Sequence, residues 1–163
     1  MEANLRSQAR VHAVDPSRLI FLRGTLPKPD HLARVRLADL FLDTHLYNAH
    51  TTACDALWAG LPVLTCPGAT FASRVAASLL TAVGMPELIV ADLEGYEQLA
   101  VQLACRPTDL RGLRDKLVAQ RTTWPLYDTP RFVHNLERAF IRMWQIHTSG
   151  QRPQAFEVTE NDM

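Results

Sequence analysis

The chain has 163 residues, enough for one domain with its own core, and 47% of them are apolar against 21% charged. Seventeen basic residues balance seventeen acidic ones, so no net charge draws the chain toward nucleic acid or an anionic membrane. Three cysteines (Cys54, Cys66 and Cys105) without a C-x-x-C pair argue against a disulfide framework or a zinc knuckle and for a reducing, cytoplasmic setting.

The opening "MEANLRSQARVHAV" is charged and reads as a helix, not as a signal peptide. "DPSR" breaks it. "LIFLRG", Leu19 to Gly24, predicts a short buried strand, and "TLPKPD" a proline-punctuated loop. Asp30 is placed to cap a helix "HLARVRLA" that starts at His31. "DLFLDT", Asp39 to Thr44, predicts a second strand. The loop "HLYNAH" then leads into the helix "TTACDALWAG", which Gly60 stops ahead of Pro62. "PVLT" predicts a third strand, "ATFASRVAASLLTAV" a helix ending at Gly84, and "ELIVAD" a fourth strand. Three helices follow, over Leu93 to Cys105, Pro107 to Trp124 and Thr129 to His147. The last carries an apolar stripe of Phe132, Val133, Leu136, Ala139, Phe140, Met143 and Trp144. No apolar run is long enough to span a bilayer. Strands alternating with helices predict an α/β fold, a parallel sheet with flanking helices. Its ligand belongs beyond the strand carboxyl ends, where "LPKPDH" and "HLYNAHTT" lie. The expected division is a lobe over 1–147 and a polar tail over 148–163.

Several residues have the chemistry for a site. Thr51 and Thr52 open a helix, where free amides, the helix dipole and two hydroxyls favour an anion such as a diphosphate. The competing reading is an ordinary threonine cap. Asp55 shares their helix face and can accept bonds from a ribose diol or merely complement the dipole. Lys28 can neutralise phosphate, and His31, with Arg34 one turn on, can face the same ligand; each also reads as an ordinary surface residue. Asp43, His45 and His50 match no defensible zinc spacing. Ser73 and Ser78 lie within a helix and not on a strained strand-to-helix elbow.

Together, "ADLFLDTHLYNAHTTACDALWAGLPVLTCPGATFASRVAASLL", with "SRLIF", "LPKPDHLARVRLAD" and "LYDTPRFVHNLERAFIRMW", closely resembles the carboxyl-terminal lobe of the protein O-linked N-acetylglucosamine transferases. The resemblance implies a Rossmann-like GT-B lobe that binds UDP-N-acetylglucosamine without a metal or other cofactor, the acceptor being a Ser or Thr of a protein. It maps Leu26 and Lys28 onto the donor loop, where Leu26 departs from the usual alanine. His31 and Arg34 map onto the donor-side helix, His50, Thr51 and Thr52 onto the phosphate tripeptide, and Asp55 onto the ribose carboxylate. It implies neither nucleic acid nor membrane as a partner. An amino-terminal catalytic lobe and tetratricopeptide repeats are expected upstream, and the lobe itself is expected to be incomplete, with an exposed sheet edge. The expectation is a glycosyltransferase region that needs the missing lobe. A UDP- or partner-binding remnant that transfers nothing is the alternative.

Overall fold

The computed structural model describes residues 1–159, and it divides into two compact units, Met1–His31 and the chain from Leu32 onward. In the first unit, α1 (Glu2–Val11) is followed by a 3-10 turn over Pro16–Arg18, whose entry Asp15 caps by accepting the Ser17 N–H at 2.9 Å. Arg6 on α1 donates to the Pro16 carbonyl at 2.5 Å and lies 5.0 Å from the centre of the Phe21 ring, so one guanidinium ties the turn back to the helix. The strand expected over Leu19 to Gly24 does not form. A strand exists only as part of a hydrogen-bonded ladder, and no strand is assigned there among the described residues; Ile20 and Leu22 are exposed.

Helix α2 (Lys28–Val35) starts at Lys28 and not at His31. Pro29 fits its first turn, where a missing N–H costs nothing, and Asp30 lies inside that turn as a charge facing the dipole, not as the cap. Strand β1 (Phe41–Leu42) pairs in parallel with β2 (Val63–Leu64), Phe41 opposite Val63 and Leu42 opposite Leu64. A parallel pair needs a crossover, and α3 (Thr51–Ala59) supplies it. Gly60 ends α3 in the left-handed region at φ 84°, and a Cβ there would meet the Val118 side chain at 3.2 Å.

The expected fourth helix, "ATFASRVAASLLTAV", is split. Thr70 and Ser73 exchange side-chain and main-chain bonds around a 3-10 turn over Phe71–Ser73, and α4 (Val75–Ala82) begins only after it. Short polar side chains that bond their own backbone compete with helix, which moves the start downstream. "ELIVAD" contributes one parallel bridge, Ile89 to Thr65, after a 3-10 turn over Pro86–Leu88. The sheet is therefore parallel, as expected, but short. Helices α5 (Leu93–Cys105), α6 (Pro107–Gln120) and α7 (Thr129–Thr148) complete the second unit. Its core gathers Leu57, Val63, Leu80, Val83, Met85, Leu88, Leu103 and Leu117. The apolar stripe of α7 stays largely outside it: Phe132 is 64% and Trp144 65% exposed, and α7 buries only Ile146. Residues 149–159 of the expected tail are irregular, and 160–163 lie outside the described residues.

Candidate functional site

Strand β1 delivers its carboxyl end to Asp43, and the chain then loops through Thr44–His50 into α3. Asp43 is 6% exposed and makes bonds in three directions. One carboxylate oxygen accepts the Ala49 N–H at 2.7 Å, the other accepts the Thr65 hydroxyl at 2.8 Å, and its carbonyl accepts the Tyr96 hydroxyl at 2.9 Å. Burial, then the charges of Asp43 and Cys66, push the Tyr96 phenol up to about 12. Asn48, 1% exposed, donates its side-chain amide to the Thr44 carbonyl and its main-chain N–H to the Ala72 carbonyl, both at 2.8 Å. The Thr44 hydroxyl donates to the Tyr47 carbonyl. The loop is thus bonded within itself and tied at both ends.

His50 stands at the N-cap position of α3 with no side-chain cap bond, which places Thr51 and Thr52 in the first two helical positions, both exposed. The threonine-cap reading is not realised, since neither threonine occupies the cap. The first main-chain N–H groups of a helix have no intrahelical acceptor, and here two hydroxyls stand beside them. The His50 ring stacks on Tyr47 with centroids 5.0 Å apart, meets Phe71 edge-on at 6.4 Å, and has Nε2 3.4 Å from the Ala72 carbonyl. A depression of about 430 Å³ opens between β1, Asp43 and the loop on one side and His50, Thr51 and Thr52 on the other. Larger hollows of about 510, 580, 630 and 670 Å³ lie elsewhere; the first is at the start of α7, where the Asp128 side chain already caps the helix beside Thr129, and the other three have no helix N-terminus with hydroxyls at them.

The far half of α3 is clamped. The Tyr127 hydroxyl donates to the Cys54 carbonyl at 2.8 Å, and Arg121 donates to the Trp58 carbonyl at 2.7 Å while lying over the Trp58 ring. Burial, followed by the Cys54 and Asp55 charges, holds the Tyr127 phenol well above its usual range.

Of the expected site residues, the second unit brings His50, Thr51 and Thr52 to one depression, with Asp55 one turn along the same helix. Arg34 lies in the last turn of α2. Leu26, Lys28 and His31 belong to the first unit, Leu26 in the loop and the other two on α2. Asp43, His45 and His50 do not converge on a metal. Asp43 is spent on Ala49 and Thr65, and His45 Nδ1 lies 3.0 Å from the Cys66 carbonyl. Among the described residues no three His, Cys, Asp or Glu side chains are grouped as ligands. The residues that reading the sequence missed are Asp43 as the anchor of the loop and Tyr47 and Phe71 as the packing around His50. The available signal was an acidic residue ending one apolar strand and a threonine ending the next.

A parallel β–α–β core with a helix start beyond the strand end is the arrangement of a partial Rossmann-like lobe. The chain belongs to glycosyl transferase family 41, whose pattern matches residues 1–136. It is 47% identical over 163 residues to the probable UDP-N-acetylglucosamine–peptide N-acetylglucosaminyltransferase SEC of Arabidopsis thaliana, covering 99% of this chain and 17% of that protein. It is 38% identical over 149 residues to the UDP-N-acetylglucosamine–peptide N-acetylglucosaminyltransferase of Caenorhabditis elegans, covering 91% of this chain and 13% of that one. A solved Thermobaculum terrenum O-GlcNAc transferase mutant superposes with a TM-score of 0.80 at 34% identity, over 88% of this chain and 28% of that chain. The chain thus spans under a fifth of the two curated relatives. No helix of the described residues is long and apolar enough to cross a membrane.

Proposed function

We propose that this chain is the donor-binding part of a protein O-GlcNAc transferase: it holds UDP-N-acetylglucosamine, and the sugar passes to a Ser or Thr hydroxyl of an acceptor protein once an amino-terminal lobe completes the cleft. The observation that carries this reading is the start of α3, where Thr51 and Thr52 stand exposed beside free main-chain N–H groups with no capping side chain. A diphosphate suits that place, because it takes up both kinds of donor and complements the dipole. As UDP leaves, its phosphates gather negative charge, and amides, hydroxyls and the His50 ring stabilise that charge without reorganising. Asp55 is assigned to the ribose. Leu26, Lys28, His31 and Arg34 keep the donor-side assignments that the resemblance gives them. The family relationship and the peptide N-acetylglucosaminyltransferase relatives support the same reading.

Calorimetric titration with UDP tests it. Thr52→Ala and Lys28→Ala each weaken binding by about fivefold or more, equivalent to about 1 kcal/mol. Unchanged affinity in both variants would remove the proposal. A radiolabelled-sugar transfer assay on the same protein separates roles: binding without transfer assigns this chain to donor capture alone.

A further inference from the structure

We propose that Asp43 is a positioning residue for the anion site. It touches no ligand in this reading, which rests on the donor-binding function proposed above. Its carboxylate connects three pieces of chain that the site needs in register. Asp43 itself follows β1, Thr65 follows β2, and Ala49 lies two positions before Thr51. Asp43 lines the same depression as Thr51 and Thr52, but both its carboxylate oxygens are occupied by these donors and the residue is almost fully buried, so it serves the depression as part of its wall. The bond to Ala49 settles where the loop hands over to α3, and with it the direction in which the first N–H groups of that helix point. Tyr96 fixes the same residue from α5 by donating to its carbonyl.

A carboxylate suits this task because it accepts two hydrogen bonds at once and has nothing to donate. Asparagine has the same shape. Its oxygen can accept the Ala49 N–H and its NH2 can donate to the Thr65 oxygen, so the geometry survives without the charge. Alanine leaves both donors buried and unpaired.

The test is UDP affinity of the full chain, measured by calorimetry well below its melting temperature, with far-UV circular dichroism reporting the fold. Asp43→Ala lowers affinity about tenfold or more, Thr65→Val about threefold, and Asp43→Asn recovers most of what Asp43→Ala loses. A residue that only stabilised the fold would lower the melting temperature and leave the affinity of the folded protein unchanged. If the parent chain binds UDP and a folded Asp43→Ala binds it equally well, the positioning role is overturned while the donor site stands. Should Asp43→Ala fail to fold, unchanged affinity in Thr65→Val overturns it instead. If the parent chain does not bind UDP at all, the donor site and the positioning role fall together.

Discussion

At Gly84 the backbone turns at φ 74°, and the Trp124 indole fills the space a side chain would take, its nearest atom 2.5 Å from where a Cβ would lie. Alanine here meets two penalties: the left-handed conformation costs about 1–2 kcal/mol, and displacing the ring adds about 1–3 kcal/mol. We expect Gly84→Ala to lower the melting temperature by more than any substitution on the exposed face of α7, as thermal denaturation will show. Tyr96→Phe is a subtler case, since it removes the hydroxyl from the Asp43 carbonyl and costs about 1–2 kcal/mol. Residues of this kind show how far the candidate site is legible from sequence. Thr51 and Thr52 are visible at once, because a helix start is a local pattern. The partnership of Asp43 with Thr65 spans 22 residues and depends on Leu42 lying opposite Leu64, a register no local pattern encodes.

Among the elements, local signals carried those that end on their own chemistry. Helix α5 runs over the expected Leu93–Cys105: Asp92 caps it by accepting the Gly95 N–H at 2.8 Å, and the next helix opens on Pro107. Asp92→Ala should lower stability by about 1 kcal/mol in chemical denaturation, with the denaturant slope unchanged. Gly60 stopped α3 for an equally local reason. Two elements failed for opposite reasons. Leu19–Gly24 has the composition of a strand, but strand identity is conferred by a neighbour in the ladder, and sequence composition does not supply one. The helix expected from Ala69 was shortened from within by the Thr70–Ser73 exchange, a competitor whose geometry shows only after folding.

For the molecule as a whole, two properties follow. The first concerns alkali. Burial pushes the Tyr96 phenol up to about 12 from the usual 10.0, and Tyr127 is shifted the same way. The folded state therefore holds these protons more tightly than the unfolded one. Their contribution is complete below pH 10, and falls away as pH rises through the folded values. Denaturation midpoints taken from neutrality to about pH 11 should decline only beyond the free-phenol value, and Tyr96→Phe should flatten that decline. The second concerns association. The outer edge of β1 has no strand partner among the described residues, and the α7 stripe, Phe132 to Trp144, extends over about 18 Å of helix. Sedimentation should show self-association rising with concentration, and Phe140→Glu with Trp144→Lys should reduce it.

The tethered loop between β1 and α3 also has a consequence in time. Thr44–His50 is bonded within itself and tied to the sheet through Asp43 by bonds that need no ligand to form. Binding then has no slow rearrangement to wait for. In stopped flow, UDP association should be a single exponential whose rate climbs linearly with ligand concentration, and the plateau that betrays a preceding or following conformational step should appear only when Asp43 is replaced by alanine.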